Sequence, residues 1–229
     1  GNGESLERLD EVLGGQGHLS YPYVVQTDGQ SYCVPESANT GEVVLYAMGD
    51  SPTEWRRVTT LLDEPVLDPT LLHYDGRWWL FGTLQGHYDN TKLYLWSSNQ
   101  LTRGWTRHPA CPVKCDVRSA RPAGRPFLHE GKLYRPAQDC SREYGGAVAL
   151  NRVDHLSPVR YEEKTIARIH PDPDGPYPHG GHTLMDAGEH VFVDGKRHAL
   201  IPSASLRFVK RKLGRLFNGS SSSKRGSSQ

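Results

Sequence analysis

The chain has 229 residues, 36% hydrophobic and 23% charged, which is enough apolar material to bury a core and too much for general disorder. Glycine (24), proline (16), tyrosine (11) and tryptophan (5) describe short strands joined by tight turns and exclude a helical bundle. Seven of the 27 basic residues and none of the 26 acidic ones follow residue 206, so residues 1–206 carry 20 basic against 26 acidic, a net of about −6, and no nucleic-acid groove is expected there.

The opening GNGESLERLD has neither a basic region nor an apolar stretch, so no secretory signal is expected in it. SLERLDEVL (5–13) reads as a strand, and three hairpins follow, turning at Asp28-Gly29, Asp75-Gly76 and Glu130-Gly131 between strand-like runs. A fourth is expected at Ala187-Gly188. Each of the first three leads into a further strand, GEVVLYA (41–47), TKLYLWSS (91–98) or GGAVALNRV (145–153). A last, aromatic-bearing run then follows: EWRRVTTLL (54–62), GWTRHPACPV (104–113) or YEEKTIARI (161–169). The longest apolar runs, such as WWLF (78–81), fall far short of the ~18 residues that cross a bilayer. Trp78 and Trp79 alternate, so one is expected in the core and the other toward solvent.

About four strands per unit, with turns 47, 55 and 57 residues apart, is the period of a β-propeller blade and favours that fold over a β-sandwich or a two-domain β protein. The expected architecture is all-β, a five-bladed propeller over residues 1–205 whose first blade is largely missing. Residues 206–217 form a basic amphipathic segment with Leu206, Val209, Leu213, Leu216 and Phe217 on one stripe, suited to peripheral contact with an anionic membrane or to docking on a partner. Residues 218–229 are a Ser-rich disordered tail. Cys33, Cys111, Cys115 and Cys140 are too few for a disulfide scaffold, and Cys111 and Cys115 have no second close pair to complete a zinc site. They read as reduced thiols in a cytoplasmic chain, with membrane association through the basic segment. Neither a phosphate loop nor a dinucleotide fingerprint occurs, so no cofactor is expected.

HLSYPYV (18–24), VPES (34–37), DPTLLHYDGRWWLFGT (68–83), ARPAGRPFLHEGKLYRPAQDCSREYG (120–145) and HGGHTL (179–184) occur in the same order as in a known family. Through them the chain resembles the N-terminal domain of plant glucosamine inositolphosphorylceramide transferases and related bacterial proteins. The resemblance implies the five-bladed propeller of glycoside hydrolase family 43 and its relatives. A separate glycosyltransferase domain follows in the plant proteins and is not expected here. In the hydrolases, the implied general base is an aspartate of the first blade, whose place in the next repeat is taken here by Ser20-Tyr21.

Residues equidistant from a hairpin turn face each other. This sets Tyr21 opposite Glu36, Asp68 opposite Thr83, Arg121 opposite Cys140, Pro122 opposite Asp139 and Gly181 opposite Asp194. One mouth of the channel then gathers Ser20, Tyr21, Glu36, Asp68, Arg121, Arg125, Gln138, Asp139, His182 and Asp194. Carboxylates, guanidinium groups and amides together suit sugar hydroxyls, and Tyr21, Trp78, Trp79 and Tyr134 offer faces to a sugar's C–H side. Glycoside hydrolysis needs one protonated and one ionised carboxyl, ~6.5–9.5 Å apart for inversion, and Asp68 with Glu36 is the expected pair. Tyr21, Arg121, Arg125, Gln138, Asp139 and His182 are the expected substrate contacts, and no metal is expected. Plainer roles also fit: Asp68 before Pro69 suits a turn at the start of a strand, and Glu36 could pair with Arg121 or Arg125. The leading expectation is a glycan-binding propeller domain associated with glycolipid or surface-glycan assembly. The alternatives are a glycoside hydrolase or glycan-transferring enzyme of the family 43 kind, and a structural scaffold for a partner domain.

Overall fold

A computed structural model of the chain describes residue 13 and residues 17–86, 88–186 and 190–199. Residues 5–12 of the first expected strand, the turn at Ala187-Gly188, the amphipathic segment 206–217 and the tail 218–229 lie outside the described residues. Two compact units are distinguished, Gly1–Lys196 and Arg197–Gln229, and every strand below belongs to the first.

The first four-stranded antiparallel sheet contains β1 (Ser20–Thr27), β2 (Gln30–Glu36), β3 (Val43–Met48) and β4 (Trp55–Leu62), hydrogen-bonded in chain order. The second contains β5 (Val66–Tyr74), β6 (Arg77–Leu84), β7 (Lys92–Ser98) and β8 (Thr106–Arg107), with β9 (Lys114–Cys115) also on β7. The third contains β10 (Phe127–His129), β11 (Lys132–Asp139), β12 (Ala147–Leu156) and β13 (Tyr161–Ile169). A two-stranded ribbon, β14 (Leu184–Asp186) with β15 (Val191–Val193), follows. This is the expected all-β, propeller-type meander.

The hairpin turns arise from local chemistry. Both residues of each turn have positive φ: 51° and 76° at Asp28-Gly29, 52° and 68° at Asp75-Gly76, 48° and 72° at Glu130-Gly131. Such turns twist in the sense of the strands they join, and glycine takes that conformation without a Cβ penalty.

One expected strand is broken. GWTRHPACPV forms only the two-residue β8 and, beyond it, β9, because Pro109 and Pro112 have no N–H to give a ladder. The chain still tracks β7 through His108 N to the Leu95 carbonyl (2.8 Å) and Val113 N to the Leu93 carbonyl (2.9 Å).

The core lies between stacked sheets. Val34 and Leu45 of the first sheet pack with Leu71, Leu80 and Trp96 of the second. The opposite face of the second sheet sends Trp79, Phe81 and Leu95 toward Leu156 and Tyr161 of the third. The expectation that one of Trp78 and Trp79 meets solvent is therefore corrected. Trp78 is buried against the first sheet and Trp79 on the third-sheet side, since both faces of a middle blade are covered. Each such fully buried large side chain contributes roughly 1.5–3 kcal/mol.

Candidate functional site

Two dipeptides shape the site. Tyr21-Pro22 and Asp68-Pro69 begin the inner strands of successive sheets, and both interrupt the ladder, between Ser20 and Tyr23 and between Leu67 and Thr70. Proline cannot donate to a ladder, and the residue before it takes positive φ in each case, 44° at Tyr21 and 48° at Asp68. Each bulge shifts the pairing by one residue, so Ser20 rather than Tyr21 faces Glu36, and Leu67 rather than Asp68 faces Thr83. In the third sheet Pro122 bridges Ala137 instead of Asp139, and Gln138 N donates to the Arg121 carbonyl at 2.8 Å. In the ribbon Leu184 faces Val193, displacing the expected pairing of Gly181 with Asp194.

Beside these bulges is a cavity of about 620 Å³. Tyr21, Glu36, Asp68, Arg121, Arg125, Gln138 and His182 all line it. Asp139 does not. It follows Gln138 on β11, and alternation turns it to the other face. There its Oδ1 accepts from the Ser141 backbone N–H (3.0 Å) and hydroxyl (2.6 Å), while Oδ2 accepts from Arg168 (3.1 Å). Trp78, Trp79 and Tyr134 are also not among the lining residues, and Tyr134 stacks on Phe127 with centroids 5.6 Å apart.

Asp68 is the centre of the buried cluster. Its Oδ2 accepts from Arg121 Nε at 2.6 Å and from Gln138 Nε2 at 2.8 Å. Its backbone N–H, freed by the bulge, donates to Glu36 Oε2 at 3.1 Å. Arg121 reaches Glu36 at 3.6 Å, donates to Asn90 Oδ1 at 3.0 Å and lies 4.9 Å from the Tyr144 ring centroid. The ion pair of Glu36 with Arg121, one of the plainer readings, is present, while Asp68 lies at a bulge within β5 and not in a turn; both residues border the cavity. The Tyr21 hydroxyl is 3.0 Å from Thr70 Oγ1.

Burial pushes the Asp68 carboxyl up to about 6; Arg121 opposes the rise and Glu36 adds to it. Burial also raises Tyr144, and the nearby Asp68 charge raises it further. Because folding raises the Asp68 pKa from an ordinary 3.8, the folded chain binds the extra proton between about pH 4 and 6, and the Asp68 contribution to stability falls as pH rises through that window. Replacing Arg121 by methionine removes the opposing cation, so the Asp68 carbon-13 carboxyl titration is expected to move to higher pH. A midpoint unchanged or lowered in Arg121→Met would contradict this electrostatic account.

Some lining residues are absent from the sequence-derived set. His18, Tyr23 and Tyr144 also border the cavity. Tyr144 carried a faint signal, an aromatic just before Gly145-Gly146. Gly145 has φ 64° and lies against His182, whose ring meets that of Tyr144 edge-on at 5.4 Å. Asp194 holds His182 through the imidazole Nδ1, and its Oδ1 accepts from the His182 and Thr183 backbone N–H groups at 2.8 and 2.6 Å.

The solved structures similar to this chain include a protein described as Bacteroides ovatus xyloglucan PUL GH43B, with TM-score 0.53 and 17% identity over 77% of this chain and 35% of that one. A family 117 glycoside hydrolase of Zobellia galactanivorans gives TM-score 0.51 and 16% identity over 80% and 64%. Both likenesses concern the propeller fold. Curated relatives are nearer in sequence. Glucosamine inositolphosphorylceramide transferase 1 of Oryza sativa subsp. japonica is 39% identical over 169 residues, 72% of this chain and 23% of the relative. That of Arabidopsis thaliana is 35% identical over 169 residues, 72% of this chain and 22% of its own. The chain thus spans less than a quarter of the length of these relatives. The family model for glucosamine inositolphosphorylceramide transferase 1, N-terminal, matches residues 1–174, and the chain belongs to this family.

Proposed function

We propose that the chain is a carbohydrate-binding propeller domain serving glycolipid or surface-glycan assembly, with a sugar held in the cavity bordered by Asp68, Arg121 and Tyr144. The observation that carries this reading is the convergence of Glu36, Asp68 and Gln138, from three different sheets, and of Arg121, from the segment before β10, on one cavity of about 620 Å³. That volume is in the usual range for small-ligand sites. Carboxylates accept from sugar hydroxyls, guanidinium and amide groups donate to them, and tyrosine rings cover the C–H face. Kinship to proteins named as glucosamine inositolphosphorylceramide transferases supports a glycoconjugate as ligand. A five-blade ring, the number expected from the repeat, belongs to the proposal.

Glycan-array binding by the full chain tests it. Asp68→Asn and Tyr144→Ala are each expected to weaken binding roughly tenfold or more, the scale of one charge-assisted hydrogen bond or one aromatic contact in a desolvated site. No sugar retained by the unaltered chain would sink the reading.

A second reading, glycoside hydrolysis with Asp68 and Glu36 as acid and base, is favoured by one observation. An Asp68 carboxyl raised to about 6 keeps its proton in mildly acidic solution, where an ordinary carboxyl has lost it, as a general acid must. Failure of the full chain to release the aryl group from a panel of aryl glycosides between pH 4 and 8 would retire it.

A further inference from the structure

The cavity is unevenly charged. On its deep side Glu36, Asp68 and Arg121 are 8%, 3% and 8% exposed, so two carboxylates share one guanidinium. On its outer side is Arg125, which is exposed. The Arg125 guanidinium is set 5.7 Å from the Tyr23 ring centroid and donates to the Val24 carbonyl. Two contacts therefore fix a cation that would otherwise sweep through solvent.

Among the described residues no carboxylate forms an ion pair with Arg125, whereas Arg56, Arg57, Arg107, Arg118 and Arg160 all have one while exposed; Arg77, Arg103 and Arg142 lack one too, but only Arg125 of these four borders the cavity. A guanidinium presents five N–H donors in a planar fork, and the Val24 carbonyl takes only one. An oriented, anion-free fork at the edge of a cavity matches the two oxygens of a carboxylate or a phosphate. A purely neutral ligand would leave that fork with only hydroxyls to meet.

We infer that the cavity takes an anionic sugar, one bearing a phosphate or a carboxylate, with the anion on Arg125 at the rim and the hydroxyl-bearing ring against Glu36, Asp68 and Gln138. The two deep carboxylates repel an anion, so the charge pattern also fixes which end of the ligand enters first. This deepens the sugar-binding reading and rests on it. Phosphate and carboxylate share the chemistry that the fork recognises, and a phosphate can come from a soluble sugar phosphate or from a lipid headgroup.

The test uses the full chain on an array of neutral sugars, their phosphates and the corresponding uronic acids at fixed ionic strength, followed by titration calorimetry on the best ligands. A phosphorylated or uronic sugar is expected to bind at least roughly tenfold tighter than its neutral parent. Arg125→Ala is expected to erase that preference while lowering the melting temperature only slightly, through loss of the Tyr23 and Val24 contacts, and Arg125→Lys to keep only part of the preference, since it retains charge but not the fork. Flotation with phosphatidylinositol vesicles and not with phosphatidylcholine vesicles, lost in Arg125→Ala, would support the inference and identify the lipid source. Preference on the array without flotation would support it and identify the soluble one. Neutral sugars binding as tightly as charged ones would overturn the inference and leave the sugar-binding reading standing. A preference that survives Arg125→Ala overturns the assignment to Arg125. No sugar bound at all defeats both.

Discussion

Glu163→Gln is expected to cost about 3–5 kcal/mol of folding stability, the range for removing one partner of a buried ion pair, read as a lower urea midpoint at unchanged slope. Arg135 is 1% exposed and donates to both Glu163 oxygens, at 2.9 and 2.7 Å. It also donates to the Ser119 and Ala120 carbonyls, at 2.7 and 3.2 Å. Lys114, from the second sheet, reaches Glu163 at 2.7 Å, and the Tyr161 hydroxyl does so at 2.5 Å. The network ties the second blade to the third, with two cations around one carboxylate. Glutamine keeps the shape and removes the charge, so the buried Arg135 and the partly buried Lys114 would face each other uncompensated. Because a domain's whole stability is about 5–15 kcal/mol, the variant should be close to unfolding. Burial alone would raise the Glu163 pKa, but Arg135 and Lys114 outweigh it and hold it below the ordinary 4.5. The stabilisation is therefore present above pH 4.5 and is lost as pH falls through the lowered folded value. Arg135→Met combined with Glu163→Leu should recover much of the loss, since it leaves fewer unpaired charges. A single variant within 1 kcal/mol of the parent would mean that this network does not hold the blades together.

Gly124→Ala is expected to damage the fold and the cavity at once. Gly124 has φ 133°, and a Cβ there would lie 1.9 Å from the Leu184 carbonyl oxygen and 2.9 Å from its carbon. Those are backbone atoms of β14, fixed in turn by Leu184 N donating to the Ala123 carbonyl at 2.7 Å, so no side chain can swing aside. The φ strain alone costs about 1–3 kcal/mol, and the forced separation adds to it. The displaced loop carries Arg125 and Arg121, so sugar binding should fall with stability. Gly76→Ala is the control: φ is 68° with nothing within 4 Å of the added Cβ, and about 1–2 kcal/mol is expected with binding retained. Equal losses in the two variants, by thermal melting, would rule out the close approach as the cause.

Much of this molecule was legible before any coordinates. The three hairpins stand where Asp28-Gly29, Asp75-Gly76 and Glu130-Gly131 put them, because a two-residue turn with positive φ is a local demand met by local chemistry. Repetition of the four-strand unit gave the propeller for the same reason, since alternation and turn spacing are written along the chain. Seven of the eight proposed site residues border one cavity because the mouth of an inner hairpin is set by distance from its turn.

What the chain alone could not decide was register, facing and coverage. The bulges at Tyr21 and Asp68 shift the pairing by a residue and free the Asp68 N–H for Glu36, a consequence of proline within a ladder whose partner strand must be known. Asp139 turns away although Gln138 beside it turns in, since only the packed sheet says which face of β11 looks into the cavity. Trp78 and Trp79 are both buried because a sheet lies on either side of their own, and Tyr144 reaches Arg121 only when the loop after β11 folds back. Turn geometry and alternation involve a few neighbouring residues, so the sequence by itself determined the ribbons. How neighbouring sheets cover and offset one another depends on contacts between residues far apart in the chain, and only the tertiary structure decided it.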